Sequence, residues 1–226
     1  MSETPSPGVL RAGGVAGFLA VFFNILGVVP LGPIEGAYLP GHLGEWFQNL
    51  QPQPMATMLS AWAFTLGVLL LVPFANAVRR AYPRSGLVDL GGQLLALGGI
   101  MDGASTLTPF VVSRHLLVES NPVASASTGV ALLGLTLSMD ALCNLMLGLG
   151  MLLMGLGLRR SGRRILGSYG IIAGLVTTPV VLQAISEPFA RLLGLAGPLW
   201  LGWVALASWQ LFRCAESARA AEANVA

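Results

Sequence analysis

Two aspartates carry the chemistry this sequence offers. Asp102 and Asp140 each follow a methionine, and each lies inside a long apolar stretch. An ionisable side chain at bilayer depth is expensive, so it marks a functional site by default. The third apolar segment reaches its outer end near Val112, and the fourth leaves that side near Thr128. At 1.5 Å per residue, Asp102 and Asp140 both lie about 15–18 Å below those ends, at one depth near mid-membrane. Helical spacing puts Ser105 and Thr106 on the face of Asp102. It puts Thr136, Cys143 and Asn144 on the face of Asp140. The pattern predicts one polar cluster: Asp102, Ser105, Thr106, Thr136, Asp140 and Asn144.

Two readings of that cluster stand open. Two carboxylates in a low dielectric cannot readily both ionise, so at least one holds a proton at neutral pH. Such a pair can relay protons or bind a cationic solute. The same pair can also be structural, fixing two helices through hydrogen bonds to Ser, Thr and Asn. No arginine lies within the spans to neutralise either carboxylate.

The other reactive side chains offer less. Asp89 sits near the inner interface close to Arg84 and reads as an interfacial ion pair. Gln93 is about half a turn round the helix from Asp102, which keeps the two apart. His42 with Glu45, and His115 with Glu119, form a metal set only if two external loops meet. Cys143 has no histidine at its depth to act as a base, so it reads as a buried thiol. Gly-x-Ser-x-Gly, His-Glu-x-x-His and P-loop motifs are absent from the sequence. The expectation is no catalytic residue and no cofactor.

The elements that must position these residues are membrane helices. Of the 226 residues 54% are hydrophobic and 10% charged, against about a quarter charged in a soluble domain. Mean hydropathy is +0.75. Apolar runs of at least about 18 residues recur, which is the length that crosses a bilayer. Residues 1–12 read as a polar tail, 13–213 as the membrane domain, and 214–226 as a cytoplasmic C-terminal tail that can extend the last helix. Six spans are expected at roughly 13–31, 55–77, 86–112, 128–158, 165–186 and 192–212. Pro73 should kink the second span, and Thr177, Thr178 and Pro179 the fifth. Gly13 with Gly17, and Gly170 with Gly174, give small-xxx-small faces for close helix contact. Trp46 and Phe47 suit the headgroup layer, and Trp200, Trp203 and Trp209 read as packing and interface anchors.

Arginine placement orients the bundle. All twelve basic residues are arginine, and with both termini inside, ten are cytoplasmic and only Arg114 and Arg191 external. A net charge of +2 suggests no nucleic-acid role. Two cysteines at different depths leave no disulfide framework. These features point to a bacterial inner membrane. The basic turns after the second and fourth spans echo one another, which fits either a duplicated helix pair or plain positive-inside pressure.

The layout resembles a bacterial integral-membrane family of unknown function, DUF 4386. The stretch RRSGRRILGSYGIIAGLV is similar to that family's arginine-and-glycine turn, and LLGLAGPLWLGWVALASWQLFR to its Trp-rich last helix. The resemblance implies a six-helix layout and brings no catalytic residues with it.

The sequence thus predicts an all-α, polytopic transmembrane bundle of six helices with both termini cytoplasmic. Its expected role is non-enzymatic: transport, sensing or membrane support. The alternatives are a proton-coupled small-solute transporter using Asp102 and Asp140, and an intramembrane lipid-modifying enzyme. Expected partners are the lipid bilayer, a small solute or proton, and a second copy of the chain or another membrane protein.

Overall fold

A computed structural model of the chain describes residues 5–28, 54–83, 85–116 and 122–223. Among them the only regular structure is helical. We number the helices α1 (Pro7–Val28), α2 (Pro54–Leu69), α3 (Leu71–Ala81), α4 (Gly86–Leu116), α5 (Pro122–Arg160), α6 (Arg164–Thr177), α7 (Glu187–Arg191) and α8 (Leu193–Ala223). A 3₁₀ segment, Thr178–Ala184, continues α6.

Prolines set several of these boundaries. Pro7 is the first residue of α1, where its missing N–H costs nothing, and the helix starts there rather than at Gly13. Pro73 cannot bond to the carbonyl of Leu69, and the second span breaks at Leu70 into α2 and α3. Pro179 likewise gives Leu175 no donor, and the fifth span tightens from α into 3₁₀ at Thr178. Both proline effects fall where the sequence places them. The last helix runs to Ala223, because the Ala-, Arg- and Glu-rich segment after Arg213 is made of strong helix formers.

Among the described residues, five stretches are long and apolar enough to cross a membrane: Pro7–Gly27, Met58–Ala81, Gly134–Arg160, Arg164–Gln183 and Leu193–Ala223. The 31-residue α4, which carries Asp89, Gln93 and Asp102, is a sixth long helix but not one of these five. Large apolar side chains such as Phe22, Leu59, Trp62, Leu135 and Ile172 point outward. Much of the interior is small: Ala20, Ala75, Ala77, Ala173 and Ala215 are almost fully buried. Water would oppose that distribution, and a lipid solvent accepts it.

The helices run antiparallel to their neighbours, and the last returns to the first. α1 packs on α2, α3 and α8, α4 on α2, α3 and α5, and α6 on α5 and α8. Glycines let the backbones approach. A Cβ at Gly13 would meet Ala77, and one at Gly17 would meet Ser208 and Phe74, so this small-residue face is used as expected. α5 has two such faces. Gly150 and Gly157 lie against Gly91 and Val88 of α4, while Gly148 and Gly155 lie against Thr178, Gly167 and Gly170. Trp203 of α8 fills the centre, with its indole N–H donating to the Leu166 carbonyl at 3.2 Å. Its ring meets Phe74 edge-on at 6.1 Å.

A Cβ at Gly155 would sit 2.6 Å from the Ile171 nitrogen, whereas one at Gly197 meets nothing within 4 Å. Gly155→Ala should therefore destabilise by about 1–3 kcal/mol. Gly197→Ala should be neutral or stabilise by up to about 1 kcal/mol. Thermal unfolding of both variants in one detergent checks this, and equal melting would refute the close-packing account.

Candidate functional site

The interface of α4 and α5 sets the site. Its register is fixed lower in the bundle, where Val88 faces Gly157, Gly91 faces Met154 and Gly98 faces Leu147. Carried outward at the same spacing, this register sets Asp102 beside Cys143 and Ser105 beside Asp140. The two carboxyl groups are therefore about one turn apart in depth, some 5 Å along the axis. They lie within electrostatic reach of each other, and the Cys143 thiol lies within reach of both.

Asp102 is 5% exposed, and its Oδ1 has no hydrogen-bond partner among the described residues. Ser105 Oγ donates to the Asp102 backbone carbonyl at 2.9 Å and lies beside its carboxyl group. Asn144 repeats the pattern on α5, its amide donating to the Asp140 carbonyl at 2.9 Å. Thr65 of α2 reaches toward the Gly103 carbonyl at 3.5 Å. Thr106 and Thr136 are half-buried on the two helices. Asp102 and Asp140 thus lie on the same α4–α5 interface, while Ser105 and Asn144 bond within their own helices.

The sequence reading missed Gln183. This side chain is fully buried in the 3₁₀ segment, and its Nε2 donates to Asp140 Oδ2 at 2.5 Å. Its Oε1 then faces away and has no partner among the described residues. A signal was present, because Gln183 is the one carboxamide in the fifth span. Recognising it required knowing that the proline-tightened turn aims it at α5.

Two further sets of polar residues lie elsewhere. The ion pair expected of Asp89 forms, with Arg79 as its partner at 2.6 Å. Gln93 donates to the other Asp89 oxygen at 2.9 Å and stays away from Asp102, as its helical angle requires. Arg84 lies outside the described residues, as do the side chains of His42, Glu45, His115 and Glu119 and the aromatic pair Trp46 and Phe47. Among the described residues no group of three metal-ligating side chains occurs.

At the arginine-rich end, Tyr82 caps α3. Its hydroxyl is buried near the Cys214 thiol and the Arg163 guanidinium without a well-formed bond to either. Burial, with a smaller push from Cys214, raises its pKa to about 12, against an opposing pull from Arg163.

Fold and site together define an all-α, multi-pass class of protein with a carboxyl cluster between helices. Comparison with protein-family models, with curated proteins and with solved structures gave no match.

The Tyr82 shift has a definite sign. The folded protein keeps this proton between pH 10.0 and about 12 while the unfolded chain loses it. The stabilisation is fully present below that window and is lost as pH rises through it. An ultraviolet tyrosinate titration of the folded protein should show a late phase that Tyr82→Phe removes. A titration unchanged by the substitution would contradict the assignment.

Proposed function

We propose that the chain is a non-enzymatic, multi-pass protein of a bacterial inner membrane, working in transport, sensing or membrane support. Its working part is the cluster of Asp102, Asp140 and Gln183. It spans the membrane six times with both termini in the cytoplasm, and α4 is the span that carries Asp102. The resemblance to the DUF 4386 family agrees with this layout. The lipid bilayer is its permanent partner, and the cluster's ligand is a proton or a small solute.

One observation carries the reading. Asp102 is a nearly fully buried carboxylic acid whose Oδ1 has no protein partner among the described residues, and its nearest charged neighbour is another acid. A purely structural aspartate gains its stability by satisfying both oxygens, and an orphaned one costs about 1–3 kcal/mol or more. Such a cost is retained where the group works. Proton-coupled transport of a small solute is the more specific second reading. It is favoured by Gln183, which ties one acid to a broken helix able to rearrange.

Support for the orientation comes from the packing. Gly13 lies against Ala77 and Leu211, Gly167 against Arg159, and Tyr82 near Arg163 and Cys214. These contacts gather the arginine-bearing ends of the long helices at one end of the bundle, while Arg191 lies at the other.

Carbodiimide, which modifies protonated carboxyls, tests the working site in native membranes. Labelling is expected at Asp102, declining as pH rises and absent in Asp102→Asn. A chain that stays unlabelled at every pH would sink the proposal. Topology is checked separately: a reporter fused after Arg164 should read cytoplasmic, and a periplasmic signal would overturn the six-span arrangement.

A further inference from the structure

The buried face of the fifth span changes its period at Thr177. Along α6 the buried residues are Leu166, Gly167, Gly170, Ala173, Gly174 and Thr177, spaced as an α-helix requires. Beyond it, Thr177, Val180 and Gln183 are fully buried at every third position, which is the repeat of a 3₁₀-helix. The 3₁₀ run covers seven residues, where more than about three or four in a row is uncommon. α-type bonds flank it. The Thr178 N–H donates to the Gly174 carbonyl at its start, and the Ser186 N–H donates to the Leu182 carbonyl at 3.1 Å at its end. The Ile185 N–H donates to that same carbonyl, also at 3.1 Å, so both bonding patterns meet on one acceptor.

The bond from Gln183 to Asp140 depends on this tighter winding. Six steps from Thr177 turn about 720° in a 3₁₀-helix, which aligns Gln183 with Thr177 on the buried face. In an α-helix they turn about 600°, which points Gln183 about 120° away from Asp140. The start of the run is fixed, because Thr178 lies where a Cβ at Gly148 would be. Any change of register therefore appears at the outer end. We infer that Thr178–Ala184 is a two-register switch, 3₁₀ while Gln183 is held by ionised Asp140 and α-helical once that acid takes a proton. This rests on the reading of Asp102 and Asp140 as the working cluster. A hydrogen bond to a charged acceptor is about twice as strong as one to a neutral acceptor, so a proton on Asp140 roughly halves the hold. The α form gains better bond geometry, and Pro179 costs either form a donor. Seven residues rising about 2.0 Å each become seven rising about 1.5 Å, so the segment shortens by about 3.5 Å. That draws α7, which packs on its outer end, toward mid-membrane.

Few groups set this proton. Among the described residues, α4 brings Asp102 within reach of Asp140, and α5 itself brings Cys143. The titratable residues of α6 are Arg164 and Tyr169, both at the arginine-rich end, and the 3₁₀ segment carries none. α7, packed on the far side of that segment, carries Glu187 and Arg191.

Pulsed electron paramagnetic resonance in proteoliposomes reads this length. Ile165→Cys and Ile185→Cys place spin labels where the side chains are 82% and 78% exposed. Cys214→Ser removes the more accessible natural thiol, and the remaining Cys143 is buried. The separation should shorten by about 3 Å as pH falls. Asp140→Asn cannot ionise and should give the short distance at every pH, as should Gln183→Leu. The pH comparison without either substitution stands even if both variants fail to fold. A distance that ignores pH would overturn the switch, and so would a pH-dependent shift that persists in Asp140→Asn. Carbodiimide labelling of Asp102 in the same samples keeps the two readings apart. Labelling with a fixed distance overturns the switch alone, and a chain that neither labels nor moves overturns both.

Discussion

The bundle depends on how closely α5 approaches both of its neighbours. Between helices in lipid there is no hydrophobic drive, so association rests on dispersion contacts and hydrogen bonds, and both need short distances. The alternating glycines of α5 supply them on two faces, with Gly150 against Gly91 and Gly155 against Gly167 and Gly170. The approach also sets the register, and the register decides which polar side chains meet one or two turns further out. Asp102 faces Cys143, and Asp140 is within reach of Gln183, because glycines some distance below allow the backbones to touch.

Polar groups then collect in one layer. Asn24 bonds back to the Ala20 carbonyl and lies against Gly67, and Thr65 reaches toward Gly103 beside Asp102. Asn144, Asp140 and Gln183 continue the layer on the far side. Many of these bonds close within a single helix, which is the cheapest way to carry a polar side chain through an apolar medium. Asp102 Oδ1, Gln183 Oε1 and Asn24 Oδ1 are not closed in this way, and they distinguish the layer from simple packing.

Much of this was legible in the sequence. The apolar runs, the proline positions and the small-residue faces are local signals, and they mark the helices, the break near Pro73, the change at Pro179 and the contacts of Gly13 and Gly17. Counting residues put Asp102 and Asp140 at one depth, whereas the glycine-set register of α4 on α5 offsets them by about one turn. What local signals do not carry is direction after a helix breaks. Gln183 lies four residues past Pro179, in a 3₁₀ turn whose angular step differs from that of an α-helix, so a helical wheel mis-aims it. Asp89 shows the same limit on a smaller scale, since its partner Arg79 is near in space across the inter-helix turn rather than nearest in sequence.

The return of α8 onto α1 has a consequence for how the chain is made. α1 leaves the ribosome before α8, and its small-residue face of Gly13, Gly14 and Gly17 finds three of its five nearest partner residues only in Ser208, Leu211 and Phe212. Those residues are nearly two hundred positions later. Until they arrive, the seam between first and last helices stays open, and any chaperone that handles the nascent chain meets an unfinished edge there. Closure of that seam thus waits on the synthesis of α8, and truncation anywhere before Ser208 leaves α1 without this neighbour.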